Sequence, residues 1–312
     1  MFTALTAFRF PAHARALFND LDTALRSEAM KPLGPQEFIT YGFLSPFSED
    51  SEVLYQRIGE SIRIVLGTEA RVLPPKAIER ALQSRVKQIE ARDGRSLGAK
   101  ARKQLKEDII FEMIPKAFTK LTRLTAFVDL ATGTLFVDTG SQKAAENVVS
   151  ALRRALGSFP AVPVNPTTSP RFLMTGWIAG EAVPACFTIA EEAELRDPAD
   201  RGAVIKVQRQ ELQSEEIQHH LQLGKQCVRI GLIYQGQATF VLDEALVVRK
   251  LKLTDVAFEK LSDHHDFSDH AAEIDARFAL FSGLINRLAA ELFTTFGVDA
   301  PQAFAEPQRK AA

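Results

Sequence analysis

Cysteine is scarce in this chain: Cys186 and Cys227 are the only two among 312 residues, and they form no Cys-x-x-Cys pair. That excludes a disulfide framework and a thiolate zinc cluster, and points to reduced thiols in a cytosolic protein. No apolar run reaches the roughly 18 residues that announce a membrane-spanning helix. Residues 1–10 carry no charged segment ahead of an apolar block, so no secretory signal is expected. A phosphate-binding P-loop and a dinucleotide G-x-G-x-x-G are both missing, and no internal repeat is visible. Net charge is also lacking, since 38 Lys and Arg meet 39 Asp and Glu for a balance of −1. With 46% hydrophobic and 25% charged residues the composition is globular, and the length allows two domains or one multi-lobed unit.

What the chain does have is a local excess of positive charge. Between Lys76 and Arg123 there are 13 Lys and Arg against 6 Asp and Glu, a balance of +7, so the remainder carries −8. Charge sorted this way makes one cationic surface on a molecule with no overall excess, which attracts polyanions without making the whole protein sticky.

Periodicity places that charge on helices. Pro74-Pro75 opens a helix to Arg92 with an apolar stripe of Ile78, Leu82, Val86 and Ile89, opposite Lys76, Arg80 and Lys87. Asp93-Gly94 stops it. A second helix, Ala99 to Ile114, carries Ala101, Leu105, Ile109 and Met113 at i, i+4 spacing, away from Lys100, Arg102, Lys103 and Lys106, and ends before Pro115. Each helix is roughly 25 Å long at 1.5 Å per residue. Together they predict an antiparallel arm with an apolar seam and a basic outside.

Around the arm, residues 2–10 read as a strand, 12–29 as a helix, and 53–73 as a hairpin turning at 58–62. A second hairpin is read from Leu124–Leu130 and Thr134–Asp138, then a helix capped by Gly140-Ser141 and running to Leu156. Residues 160–170 hold four prolines and read as a linker. Beyond it come strands at 183–189, 203–208, 226–234, 237–242 and 246–253, a Ser214-capped helix, and a long helix near 269–296. Strands and helices do not alternate as βαβ units, which makes the fold class α+β, multi-lobed, with antiparallel sheets and a protruding basic helical hairpin. The expected division is an N-terminal lobe of 1–74 plus 118–159, the arm at 75–117, and a C-terminal lobe of 171–312.

Chemistry is harder to find. The arm suits phosphate-backbone binding without base reading, although most charge runs are merely solvated helix faces. Asp263-His264-His265-Asp266 with Asp269 and His270 resembles a metal cluster, but adjacent histidines point apart, so a polar loop and helix cap is the better reading. His219-His220 is read in the same way. Asp129 and Asp138 flank the second hairpin and suggest nuclease carboxylates for Mg²⁺, yet no third carboxylate follows, and such aspartates usually cap turns. Thr139-Gly140-Ser141-Gln142-Lys143 is a helix start able to hold one phosphate, without the rest of a nucleotide motif. Phe118, between Lys116 and Lys120, is read first as core, with a self-association surface as the alternative.

Several segments resemble the bacterial RdgC family of recombination-associated proteins. These are Leu73 to Leu82, the Ile114-Pro-Lys-Ala-Phe118 element, Phe127 to Asp138, Ala151 to Ser158, Pro160 to Val164 and Gln208 to Ile217. The resemblance implies a ring-shaped homodimer whose positively charged hole encircles double-stranded DNA, with single strands as a further ligand. It also implies little sequence preference, restraint of RecA-promoted strand exchange, no enzymatic activity, no cofactor, and a cytoplasmic, nucleoid-associated location. It makes Phe118 a subunit contact, and turns Arg95, Lys116, Lys120, Arg209 and Gln210 toward the hole. With these, Lys76, Arg80, Lys87, Lys100, Arg102, Lys103 and Arg123 complete the candidate DNA-binding set. Two other functions stay open: a Mg²⁺-dependent nuclease using Asp129 and Asp138, and a RecA-binding module that does not need DNA.

Overall fold

The computed structural model describes residues 2–48, 50–199, 203–255 and 270–299. Two antiparallel sheets organise them. The first contains β1 (Thr6–Arg9), β2 (Ile39–Leu44), β3 (Tyr55–Ile58), β4 (Ser61–Arg71), β5 (Thr119–Asp129), β6 (Thr134–Val137) and β7 (Val162–Pro163). Its order is β2-β4-β5-β6-β1-β7, with β3 also on β4. The second contains β8 (Phe187–Arg196), β9 (Val204–Gln208), β10 (Gln226–Tyr234), β11 (Ala238–Asp243) and β12 (Val248–Leu253), in the order β12-β11-β10-β8-β9. Leu5 and Val248 exchange backbone hydrogen bonds of 2.8 and 3.0 Å, and Leu251 N–H donates to Thr3 O, so the N-terminal segment ties the two sheets together.

The spine of the first sheet is the β4–β5 pair, in register from Ser61 opposite Asp129 out to Arg71 opposite Thr119. Alternation along it feeds two cores, because successive side chains point to opposite faces. Ile62, Ile64, Leu66, Ala126 and Val128 pack with Phe10, Phe18, Phe159 and the helices α1 (Leu21–Ser27) and α4 (Gln142–Ala155). The other face carries Phe127 and Phe136, whose rings stack at 4.7 Å. They join Phe2, Phe278 and Phe281 in a larger core shared with the second sheet, α5 (Pro170–Ile178), α6 (Glu215–Gln222) and the long α7 (His270–Phe296). Turn glycines fix the hairpins. Gly59 takes φ +57° between β3 and β4, and at Gly133 (φ +66°) an added Cβ would also lie 2.5 Å from Phe10 O.

The α+β class and the antiparallel sheets stand as expected, and several boundaries do not. The strand expected at 2–10 narrows to Thr6–Arg9, and the helix expected at 12–29 is a 3-10 turn, Ala12–Phe18, followed by α1. The expected strand at 183–189 lies later, at Phe187–Arg196. The proline-rich 160–170 segment is not a free linker. Val162 and Pro163 pair with Arg9 and Phe8 at the sheet edge, where proline's missing N–H costs nothing. Arg153 donates to Phe159 O and Ala161 O at 3.0 and 2.9 Å, which pins the start of that segment.

Candidate nucleic-acid interface

The chain leaves the far end of β4 and returns to the matching end of β5, and everything between is the helix pair α2 (Pro75–Asp93) and α3 (Ala99–Met113). Pro75 sits in the first turn of α2, and Gly94 closes it in the left-handed region at φ +66°. The pair runs antiparallel, with Arg85 3.0 Å from Glu112 and Arg102 3.5 Å from Glu90. Its seam is thin: Val86 and Ile109 are buried, whereas Leu82, Ile89, Leu105 and Met113 are only partly covered. At the root a 3-10 turn, Ile114–Lys116, buries Ile114 before β5 begins.

Lys76, Arg80, Lys87, Arg95, Lys100, Arg102, Lys103, Lys116, Lys120 and Arg123 are all exposed. Arg102 shares its charge with Glu90, and Arg92, beside the same loop, pairs with Asp93 at 2.8 Å. Register separates two of the expected contacts. Lys120 lies opposite Ala70 and Arg123 opposite Gly67, so the two project from opposite faces of the sheet. Arg209 and Gln210 belong to another region, directly after β9 on the outer edge of the second sheet. Arg209 has φ +56° and donates its backbone N–H to Glu191 O, and Gln210 donates to Glu216 at 2.9 Å.

Phe118 corrects the core reading, because it is 88% exposed. Its carbonyl accepts from Val72 N–H at 2.7 Å, so the backbone is held while the ring stands in solvent. Phe38, Ile39, Tyr41, Val72 and Leu121 are also exposed at the arm end of β2, β4 and β5. Periodicity gave no sign of this apolar end, because the exposed residues continue strands whose inner halves are core.

The carboxylates have structural duties. Asp129 is 3% exposed and accepts from the backbone and hydroxyl of Thr132 in the β5–β6 turn. Asp138 accepts from Thr3 N–H at 2.8 Å and Ala4 N–H at 3.1 Å, anchoring the N-terminal segment. Among the described residues no group of three or more His, Cys, Asp or Glu side chains is placed to hold a metal ion. The cluster at 263–269 lies outside the described residues, as does the His270 side chain. At the start of α4, Ser141 Oγ accepts from Ala144 N–H and Thr139 Oγ1 from Ser141 N–H. One motif escaped the sequence reading: Gly94-Arg95-Ser96-Leu97-Gly98 spells G-x-S-x-G. It joins two helices, not a strand to a helix, and no histidine occurs in the arm, so it lacks the setting of a nucleophile elbow.

Fold and surface thus define an α+β protein of two antiparallel sheets, with a lysine- and arginine-rich helix pair set into the longer strand pair. A family model described as "Putative exonuclease, RdgC" matches residues 1–299. The chain is 44% identical over 288 residues to the recombination-associated protein RdgC of Xanthomonas axonopodis pv. citri, covering 92% of this chain and 95% of that one. It is equally similar to the protein of that name from Xanthomonas campestris pv. campestris strain B100, covering 92% and 94%. To that of Stenotrophomonas maltophilia it is 43% identical over the same length, covering 92% and 95%. The chain belongs to the RdgC family.

Proposed function

We propose that the protein is a non-enzymatic, sequence-independent DNA-binding protein of homologous recombination. On this reading it forms a ring-shaped homodimer that encircles duplex DNA in the cytoplasm and restrains RecA-promoted strand exchange. The observation that carries the reading is the concentration of exposed lysine and arginine on one helix pair and its root, in a chain of net charge −1. Such a surface binds the phosphate backbone by releasing counterions and needs no base contacts. The relatives' shared name supplies the link to recombination, and the exposed Phe118 beside Lys116 and Lys120 supplies an apolar contact next to a basic one.

Salt decides. With about 6–10 phosphate contacts, duplex affinity falls roughly 10³–10⁵-fold between 50 and 200 mM salt. A double Lys116→Ala, Lys120→Ala variant binds every sequence more weakly, and its log–log salt slope is shallower by about two. A flat salt response in the wild type, or weakening confined to one sequence, refutes the phosphate model.

The word exonuclease in the family description gives the nuclease reading a specific basis. Labelled duplex incubated with the protein and Mg²⁺ tests it, and cleavage abolished by Asp138→Asn would establish it. Capture of RecA that survives nuclease treatment would favour the module that works without DNA.

A further inference from the structure

Arg71 is the last residue of β4, and it holds both segments that flank the apolar end of the sheet. Its backbone N–H donates to Phe38 O at 2.8 Å. Its guanidinium donates through Nη1 to Pro115 O at 3.5 Å and Ala117 O at 3.3 Å, and through Nη2 to Gly34 O at 3.1 Å. The first two carbonyls bracket Lys116 and immediately precede Phe118, and the third begins the loop that ends in Phe38. Phe118 and Phe38, 88% and 50% exposed, therefore hang on segments gathered by one side chain.

The local chemistry explains why an arginine stands there. Helix ends leave their last carbonyls without intrahelical partners, and a cation near them is favoured by the helix dipole. Pro115 interrupts the hydrogen-bond ladder at the end of the arm, so acceptors collect there. A planar guanidinium with five donors spans several acceptors at once, which a lysine ammonium cannot do in the same geometry. Among the described residues no carboxylate forms a salt bridge with Arg71. Its donors serve backbone oxygens.

We infer that Arg71 is a positioning residue: by clamping the carbonyls of Gly34, Pro115 and Ala117 it sets the course of the arm's root, and so the presentation of Lys116, Phe118 and Phe38 to a second copy of this chain and to DNA. The inference deepens the proposed function and rests on it for the partner, but not for the clamp.

Arg71→Gln and Arg71→Lys test it in the full chain, by hydrogen exchange, solution mass and duplex affinity across salt. In Arg71→Gln the amides of Val72 and Ala117 exchange about tenfold faster, as expected for loss of charge-assisted hydrogen bonds. Those of β10 are unchanged. Dimer and duplex affinity fall by about tenfold, with an unaltered salt slope, because Arg71 touches no phosphate. Arg71→Lys, which keeps the charge but not the fork, behaves as Arg71→Gln does.

Unchanged exchange at the root overturns the inference, as does faster exchange with dimer and duplex affinity intact. Wild-type behaviour of Arg71→Lys reduces the effect to charge and also overturns it. Protection lost in β10 as well would make Arg71 a residue of general stability. A wild type that neither dimerises nor binds duplex defeats the functional reading instead, and root exchange then decides the clamp alone.

Discussion

At the scale of single residues, the two cysteines show how environment assigns chemistry that sequence leaves open. Cys227 is fully buried in the shared core, and burial pushes its thiol from 9.0 up to about 12. The half-buried Cys186 is raised as well, by desolvation first and then by Glu291, whose carboxylate lies 3.7 Å from Sγ. Both shifts favour the thiol over the nucleophilic thiolate. For Cys227 the folded state holds its proton more tightly than the unfolded chain does. Its contribution to stability is therefore complete below pH 9.0 and declines as pH rises toward about 12. At pH 8 a maleimide should label Cys186 slowly and Cys227 only on unfolding, and Cys227→Ala should soften the alkaline loss of stability. Rapid labelling of Cys227 in the native protein would contradict its burial. The expectation of reduced, inert thiols was legible from number and spacing, but which of the two is sealed required the packing of β10 on α5. Residue scale is also where base rates failed, since a phenylalanine between two lysines is more often core than 88% exposed. Arg71 left no trace in the sequence, because its partners are backbone carbonyls far along the chain.

Among elements, legibility followed punctuation. The arm was readable almost to the residue because prolines open and close it and Gly94 divides it, each acting through backbone geometry that no tertiary contact overrides. The 160–170 segment misled for the same reason: prolines that suggest a linker are also tolerated on an edge strand, and only the pairing with β1 distinguishes the two. The start of β8 was blurred because Val183 and Cys186 pack against the shared core without joining the ladder. The thin seam of the arm has a thermodynamic consequence. Few buried side chains hold α2 to α3, so the pair should open locally at lower cost than the sheets. Gly94→Ala puts a Cβ where nothing lies within 4 Å, so its cost is the left-handed backbone alone, about 1–2 kcal/mol. Exchange across residues 86–102 should then rise by roughly five- to thirtyfold, with the thermal transition of the whole molecule unmoved. A uniform rise in exchange with a lowered Tm would mean that the arm and the sheets unfold as one unit.

For the whole molecule, the sequence carried the charge asymmetry and the structure adds the apolar end beside it. Neither exposes the second subunit, so the ring stands or falls on how Phe118 behaves. A fully solvated ring contributes little to its own fold, and Phe118→Ala should change stability by no more than about 0.5 kcal/mol. At a subunit contact, however, a buried aromatic anchor is worth about 2 kcal/mol or more, which weakens the dimer by at least about thirtyfold. The effect on DNA should depend on topology. A closed ring leaves linear duplex by sliding off an end, but leaves a closed circle only by opening an interface. Wild-type protein should therefore stay longer on circular than on short linear duplex at equal salt. Phe118→Ala should shorten the circular residence toward the linear one while equilibrium binding to a short duplex, carried by the lysines and arginines, changes little. Inhibition of strand exchange should fall together with the circular residence time. A variant that remains dimeric, with equal residence on both substrates and undiminished inhibition, would show that DNA is held on an open cationic face and never enclosed.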